Sequence, residues 1–207
     1  MESRKPHVAI FPCAGMGHLI PIAELAKRLA SSHGLSITFI TSKWMFSPAL
    51  MAAYSESMAS SGLDINIIQL PEEEMEGAQH LKIETYISKL LEKSKGLVKN
   101  ALTYLIISAS PLSAFITEVF YSTMFNVDVD LCIPKYLFFT SITSMLLVTL
   151  SIPNLISEIP ISFKDVDFPI VVPGTPPILG SDMPTPFRTG RMKAFIGSTT
   201  ISHVYGK

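Results

Sequence analysis

Short apolar runs alternate with segments of helical periodicity along most of the chain. Runs rich in β-branched and aromatic residues predict strands at 7–11, 35–41, 65–70, 114–117 and 136–140. Apolar residues at helical spacing predict helices after residue 18 and over 82–107, 120–127 and 144–156. This alternation predicts an α/β fold: a Rossmann-like, mostly parallel sheet with helices on both faces.

The first strand-loop-helix unit has the clearest local signals. The apolar run 7–11 ends in a tight loop that contains a glycine pair. From His18 onward, apolar residues recur on one helical face. Pro21 suits the first turn of this helix, and Gly34 suits the position just after its last turn.

The composition changes after residue 150. Eight of the 15 prolines lie between 153 and 186, which favours extended, looping structure there. We therefore predict a domain over 1–160 that contains most of the core, with 161–187 as an extended segment of the same domain. Residues 188–207 show no period, and we expect a poorly ordered tail.

The charge balance excludes some classes of partner. Lysine and arginine total 16 against 17 acids, giving a net charge of -1. No general electrostatic attraction to nucleic acid or to an anionic membrane follows from that balance. Small neutral or aromatic molecules are the expected partners.

Residues 136–157 carry no charge and are long enough to span a bilayer. Hydroxyl side chains and Pro153 interrupt this stretch, however, and its start has the character of a strand. We expect a buried strand followed by a buried helix, not a membrane span. The apolar run near the N-terminus is also too short for a secretion signal.

The two cysteines lie far apart in the sequence, without the spacing of a metal site. Cys13 and Cys132 are expected to be free thiols. This usage favours a reducing compartment and therefore a cytoplasmic location. We predict no bound metal.

The segment 13–21 is the strongest candidate for chemistry, because open α/β sheets bind ligands where a strand ends and a helix begins. Gly17 lets the backbone approach a ligand closely. A neutral His18 imidazole could accept a proton from a hydroxyl group, although a histidine with only a capping role is an equal alternative. A dinucleotide fingerprint needs a third glycine where Ile20 stands, so a nicotinamide oxidoreductase is a minor alternative.

Glu118 follows the predicted strand 114–117, which places it at the same carboxyl edge as His18. A carboxylate there could orient the imidazole and stabilise its protonated form. The alternative is a solvent-facing glutamate in a loop at the end of the strand.

Several motifs together resemble one family. They are His7-Val-Ala-Ile-Phe-Pro12, Gly15-Met-Gly-His-Leu-Ile-Pro21, Pro111-Leu-Ser-Ala-Phe-Ile-Thr117, Ile133-Pro-Lys-Tyr-Leu-Phe-Phe-Thr-Ser141, Phe168-Pro-Ile-Val-Val-Pro-Gly174 and Pro176-Pro-Ile-Leu-Gly-Ser-Asp-Met-Pro184. Over residues 6–187 the chain resembles plant UDP-glycosyltransferases of the hydroquinone or phenylpropanoid type, which serve plant secondary metabolism. This resemblance implies the N-terminal, acceptor-binding half of a GT-B fold.

The resemblance implies a role for each candidate. His18 would deprotonate an acceptor hydroxyl, which then displaces UDP from the sugar with inversion. The acceptor would be a small phenolic or other lipophilic molecule, and the UDP-sugar, most simply UDP-glucose, would be a co-substrate with no further cofactor. Glu118 stands where the family has aspartate, and its extra methylene implies oxygens displaced by about 1 Å, a shift that can lower a rate roughly 10²-fold.

Five more residues are candidates for substrate binding by the same resemblance. Ile83, Phe120 and Met145 could line the acceptor pocket, although core packing is the more common role of such side chains. Thr140 and Ser141 follow the strand 136–140 and could contact the sugar or phosphate.

The family has a donor-binding domain after this one, and the 207 residues contain no sequence of that kind. We therefore expect a truncated product. The alternative to a transferase is a catalytically inactive acceptor-binding module, or a partner of a full-length relative.

Overall fold

A computed structural model describes residues 5–71, 80–81, 83–108, 112–128, 132–159 and 162–188. The chain forms two compact units. The first comprises residues 1–77 and 89–140, and the second comprises 78–88 and 141–207. The domain limits expected at 160 and 187 stay predictions.

The first unit is built on a five-stranded parallel sheet. Its strands are β1 (His7–Phe11), β2 (Ser36–Ser42), β3 (Ile65–Leu70), β4 (Leu112–Glu118) and β5 (Lys135–Phe138). Their order in the sheet is β3-β2-β1-β4-β5, and every neighbouring pair is parallel. The predicted α/β class with a parallel sheet is confirmed.

Two of the three inner strands, β1 and β2, are buried along their whole length. Strands covered on both faces favour continuous apolar runs over alternation, as the run 7–11 shows. Three phenylalanines anchor this core with no exposed surface: Phe11, Phe39 and Phe115. The sheet is therefore a rigid platform for the loops at its edge.

The helices are α1 (Met16–His33), α2 (Pro48–Ser60), α3 (Ile83–Ile107), α4 (Thr143–Glu158) and α5 (Thr185–Arg188). Gly34 ends α1 in a left-handed conformation, as predicted. Pro21 lies inside α1 and not in its first turn, because the helix begins two residues before His18. The segment predicted as a helix over 120–127 forms a kinked 3₁₀ helix, Val119–Asp128.

Helix α2 has no counterpart in the sequence-based prediction. Its apolar residues are spread around the helix, so it lacks the one-sided pattern that identifies amphipathic helices. Its N-terminus does carry a signal, because the Ser47 hydroxyl accepts a hydrogen bond from the Leu50 N–H at 3.3 Å and Pro48 follows at once.

The sheet order creates a switch point between β1 and β4. From β1 the chain proceeds to β2 and β3 on one side, and then crosses to β4 and β5 on the other. In the register, Phe11 pairs with Thr117 and Glu118 pairs with Phe138. The carboxyl ends of these strands thus lie side by side, where α/β sheets bind ligands.

The second unit contains α4 and a proline-rich segment with its own buried side chains. Phe163, Ile170, Met183 and Phe187 are all at most 5% exposed. Most of the buried apolar side chains among the described residues nevertheless precede residue 160, as expected, and the proline-rich segment adds a smaller set to them. Apolar residues between the prolines are buried in short 3₁₀ turns and in one antiparallel bridge, Ile170 to Ile178.

Arg188 is the last residue of α5, and the remainder of the predicted tail, 189–207, lies outside the described residues. Pro111 of the third motif and residue 82 of the predicted helix 82–107 also lie outside them. The uncharged stretch 136–157 is divided between β5 and α4. Within the described ranges, no helix combines the length and apolar character that a bilayer span needs.

Packing in the second unit gives a stability prediction. A Cβ at Gly180 would lie 1.9 Å from the Phe163 carbonyl oxygen, a backbone atom that cannot rotate away. We expect Gly180→Ala to lower the free energy of unfolding by about 3 kcal/mol, measured by urea denaturation. Gly96→Ala, in the interior of α3 with no atom within 4 Å, is the control and should stabilise by about 0.5–1 kcal/mol. Equal midpoints for the two variants would contradict this prediction.

Candidate active site

The loop after β1 positions the first candidate residue. Gly15 precedes α1 with φ 101° and ψ 151°, a conformation almost restricted to glycine. Its carbonyl oxygen accepts hydrogen bonds from the N–H groups of His18 (3.2 Å) and Leu19 (3.0 Å). This turn places His18 in the first turn of α1, above the carboxyl end of β1.

His18 contacts Glu118 directly. The imidazole Nδ1 and the carboxylate Oε2 are 2.5 Å apart, although 100 positions separate the two residues in sequence. The imidazole side chain is 30% exposed, whereas the carboxylate side chain is only 2% exposed. One end of the pair is therefore fixed inside the protein, and the other end reaches the surface.

The second carboxylate oxygen of Glu118 is also engaged. Oε1 accepts a hydrogen bond from the backbone N–H of Cys13 at 2.8 Å. Among the described residues, no lysine or arginine forms an ion pair with this buried carboxylate. The imidazole and one backbone amide thus supply its stabilisation, and the glutamate cannot rotate without losing both contacts.

Neighbouring side chains contact the pair and the loop that carries it. The ring of Phe120 packs edge-on against the His18 imidazole, with centroids 6.1 Å apart. The Thr140 hydroxyl lies 3.4 Å from His18 Nδ1. The Tyr121 hydroxyl accepts a hydrogen bond from the Ala14 N–H at 3.1 Å, which fixes the loop from its other side.

Geometry assigns the protonation pattern of the imidazole. A carboxylate only accepts hydrogen bonds, so Nδ1 carries a proton that it donates to Glu118. The Nε2 atom then bears the lone pair. This arrangement can remove a proton from a hydroxyl group, and the carboxylate can stabilise the imidazolium that forms.

Two other ionisable groups beside the pair remain neutral at physiological pH. Burial raises the pKa of the Cys13 thiol well above its usual value, and the negative charge of Glu118 raises it further. Burial also raises the pKa of the Tyr121 hydroxyl, with smaller contributions from Cys13 and Glu118, against a lowering by the Ala14 N–H. The His18–Glu118 pair therefore lies in neutral surroundings.

The structure brings together five of the eight predicted site residues. Glu118, Phe120 and Thr140 each lie against His18, and Gly17 adjoins His18 in the first turn of α1. Because Pro21 has no N–H, the carbonyl of Gly17 cannot receive the usual helical bond from that residue. The extra methylene of Glu118 does not prevent contact with the imidazole.

The other three predicted residues belong to the second unit. Ile83 is 62% exposed, so the core-packing role considered for it is wrong. Ser141 is exposed just before α4. Met145 lines an apolar cavity of about 270 Å³, together with Ile142, Val148, Ile178 and Met183, and Asp182 is the acidic residue at its wall.

Sequence reasoning missed the contributions of Cys13, Ala14 and Tyr121. Two backbone N–H groups of the loop hold the glutamate and the tyrosine, and amide donors leave no trace in side-chain patterns. Only their position along the chain could have indicated these residues, because the segments at the ends of β1 and β4 meet at one edge of the sheet.

The sequence of the whole chain was compared with protein families and with known proteins. A search with protein-family models finds no match. UDP-glycosyltransferase 72B1 of Arabidopsis thaliana is 29% identical over 195 residues, which are 94% of this chain and 40% of that protein. Hydroquinone glucosyltransferase of Rauvolfia serpentina is 28% identical over 191 residues, 92% of this chain and 40% of that protein. The chain thus spans about 40% of the length of these relatives.

Solved structures show the same fold. Apo UGT2 of Phytolacca americana superposes with a TM-score of 0.82 at 28% identity, over 93% of this chain and 43% of that one. A UDP-glucosyltransferase from Polygonum tinctorium gives 0.81 at 28% identity, over 96% and 44%. By sequence and by fold, the chain is a homologue of plant UDP-glycosyltransferases and corresponds to their N-terminal domain.

Proposed function

We propose that this chain provides the acceptor-activating site of a UDP-sugar-dependent hexosyltransferase, with His18 as general base and Glu118 as its positioning partner. The observation that carries the proposal is the 2.5 Å contact between His18 Nδ1 and Glu118 Oε2 at the switch point of the sheet. A buried carboxylate behind a partly exposed imidazole is an arrangement that suits general-base catalysis.

The proposed reaction uses the free nitrogen of the imidazole. His18 Nε2 accepts the proton of an acceptor hydroxyl as the acceptor oxygen attacks the anomeric carbon. The bond from that carbon to the UDP oxygen breaks, and UDP leaves with the electron pair. Attack opposite the leaving group inverts the anomeric configuration, and the charge that develops on the imidazole is balanced by Glu118.

The relatives support a small aromatic acceptor and a glucosyl donor. One relative is a hydroquinone glucosyltransferase, and the Phytolacca enzyme is known in complex with UDP-2-fluoro-glucose and pterostilbene. The Polygonum enzyme glucosylates indoxyl. Phe120, whose ring packs against His18, offers an aromatic face for a ring of this kind.

Three features are proposed to bind the sugar or phosphate. The Thr140 hydroxyl lies 3.4 Å from the His18 ring, so a hexose hydroxyl held by it would lie near the reacting atoms. Gly17 lets a substrate approach the start of α1, whose free N–H groups favour negatively charged oxygens. Ser141 follows Thr140 and is proposed for the same role.

Both cysteines are free thiols, Cys13 buried and Cys132 exposed, which supports a reducing compartment as the place of this reaction. We propose a cytoplasmic location on this ground.

A transfer assay tests the proposal. The full chain is incubated with UDP-glucose and hydroquinone, alone and as a chimera in which it replaces the equivalent region of the Arabidopsis relative. Mass spectrometry of the phenol is expected to show the glucoside in the chimera, in larger amount than with the isolated chain. Absence of glucoside from a folded chimera that binds UDP-glucose would overturn the proposal.

The second candidate function is a binding module without catalysis, alone or associated with a full-length relative. The apolar cavity of the second unit favours it, because about 270 Å³ accommodates a small aromatic ligand without any reacting group. In the same assay, saturable binding of hydroquinone to the chain without glucoside in either arm would support this function over the first.

A further inference from the structure

Three different ligand types for metal ions meet in the first unit. Cys13, His18 and Glu118 each offer one ligand atom, and these three atoms all lie within 4.8 Å of one another. The set combines a thiol sulfur, an imidazole nitrogen and a carboxylate oxygen. Such sets suit zinc and related thiophilic divalent ions, whereas calcium and magnesium prefer oxygen ligands alone.

The spacing of these atoms is close to that of a tetrahedral site. Metal–ligand bonds of about 2.0–2.3 Å at tetrahedral angles separate the ligand atoms by roughly 3.4–3.6 Å. The three ligand atoms are now up to 4.8 Å apart, so each must move by about 1 Å to reach tetrahedral spacing. Rotation about the side-chain bonds can provide a movement of this size. The nitrogen and oxygen of the contacting pair, now 2.5 Å apart, would separate to admit the ion.

Burial and charge favour a cation at this place. Glu118 is 1% exposed and has no lysine or arginine partner among the described residues. Cys13 is 3% exposed, so two of the three ligands are shielded from water. The half-exposed His18 leaves an open side, where a water molecule could complete a three-ligand site.

We propose that Cys13, His18 and Glu118 form a binding site for a thiophilic divalent cation such as Zn²⁺, and that this ion and the catalytic function of His18 exclude each other. This inference goes beyond the proposed function, because it concerns a ligand that the transfer reaction does not use. On binding, the thiol proton is released to solvent and the sulfur binds the ion. The Nδ1 proton of the imidazole moves to Nε2 when Nδ1 binds the ion, so Nε2 loses the lone pair that would accept the proton of a substrate.

Cd²⁺ is the probe that tests the site, because a thiolate bound to Cd²⁺ gives a charge-transfer absorption in the ultraviolet. The full chain, reduced and stripped of metal, is titrated with Cd²⁺. We expect saturation at one ion per chain, with a charge-transfer band that Cys13→Ser abolishes. His18→Ala should weaken binding by at least 10-fold, since one of three protein ligands is lost.

Cys132→Ser is the matched control, and it also removes any dependence on how the Cys13 variant folds. The chain has two cysteines, so Cys13 is the only thiol left in this variant. A band of wild-type intensity in Cys132→Ser confirms Cys13 as the ligand. No saturable band in Cys132→Ser, or an undiminished band in folded Cys13→Ser, would overturn the proposal.

Discussion

His18→Ala is expected to lower kcat/KM for glucosyl transfer on the order of 10³-fold, the contribution of a positioned general base. Without the imidazole, the acceptor hydroxyl must lose its proton to water, and Glu118 is too deeply buried to replace the base. The loss should lie mainly in kcat, because proton removal belongs to the transition state and not to substrate binding. Initial rates in the chimera, at saturating and limiting hydroquinone, measure both parameters.

A structural effect of the alanine variant must be separated from the chemical one. Alanine leaves the buried Glu118 carboxylate with one hydrogen bond, from the Cys13 N–H, and this alone could disturb the loop. His18→Asn is the sharper variant, since its amide can still donate to Glu118 Oε2 but has no basic nitrogen. We expect this variant to unfold at the wild-type temperature and to be as inactive as His18→Ala.

His33→Ala is the matched control, because His33 is an exposed histidine in the last turn of the same helix α1. It should retain wild-type kcat/KM. If His18→Asn transfers glucose within a few-fold of the wild-type rate, His18 is not the base.

The position of this site was predictable from sequence because it depends on strand ends. The run 7–11 and the strand that ends at Glu118 are buried in a parallel sheet, and buried parallel strands give continuous apolar runs. Since parallel strands end at one edge, His18 and Glu118 could be assigned to that edge without coordinates. The contact itself, over 100 positions, needed the register and the strand order.

Other features had no signal of this kind. The proximity of Cys13 to Glu118 was not foreseen, because residue spacing was judged along the chain, whereas the two residues lie 105 positions apart. Helix α2 was not predicted from the sequence because its apolar residues do not form one face of the helix. The individual buried side chains beyond residue 160 were not predicted, because a high proline content indicates extended, looping structure and does not show which apolar residues between the prolines are buried.

Glu118→Gln is expected to lower kcat by a similar amount, on the order of 10³-fold or more, although the side-chain shape is kept. The amide oxygen can still accept the Cys13 N–H, which leaves the amide NH₂ facing His18 Nδ1. A donor there forces Nδ1 to accept, so the proton resides on Nε2 and the base is in the wrong tautomer. The expected loss is thus in kcat at an almost unchanged KM.

Glu118→Asp tests whether the site is adapted to the longer side chain. With β4 fixed in the sheet, removing one methylene withdraws the oxygens from both the imidazole and the Cys13 N–H. A misplacement of about 1 Å can lower the rate roughly 10²-fold, so we expect this variant to lie between wild type and Glu118→Gln. The charge it retains would account for that partial activity.

Glu24→Gln is the control for removal of a carboxylate, since Glu24 lies exposed on α1 and pairs only with Lys27 among the described residues. Its kcat should equal the wild-type value. The relative rates of wild type, Glu118→Asp and Glu118→Gln show whether the longer side chain and its charge contribute to catalysis. If Glu118→Asp is faster than wild type, the longer side chain is a defect at this position; if Glu118→Gln is as fast as wild type, the carboxylate does not position the base at all.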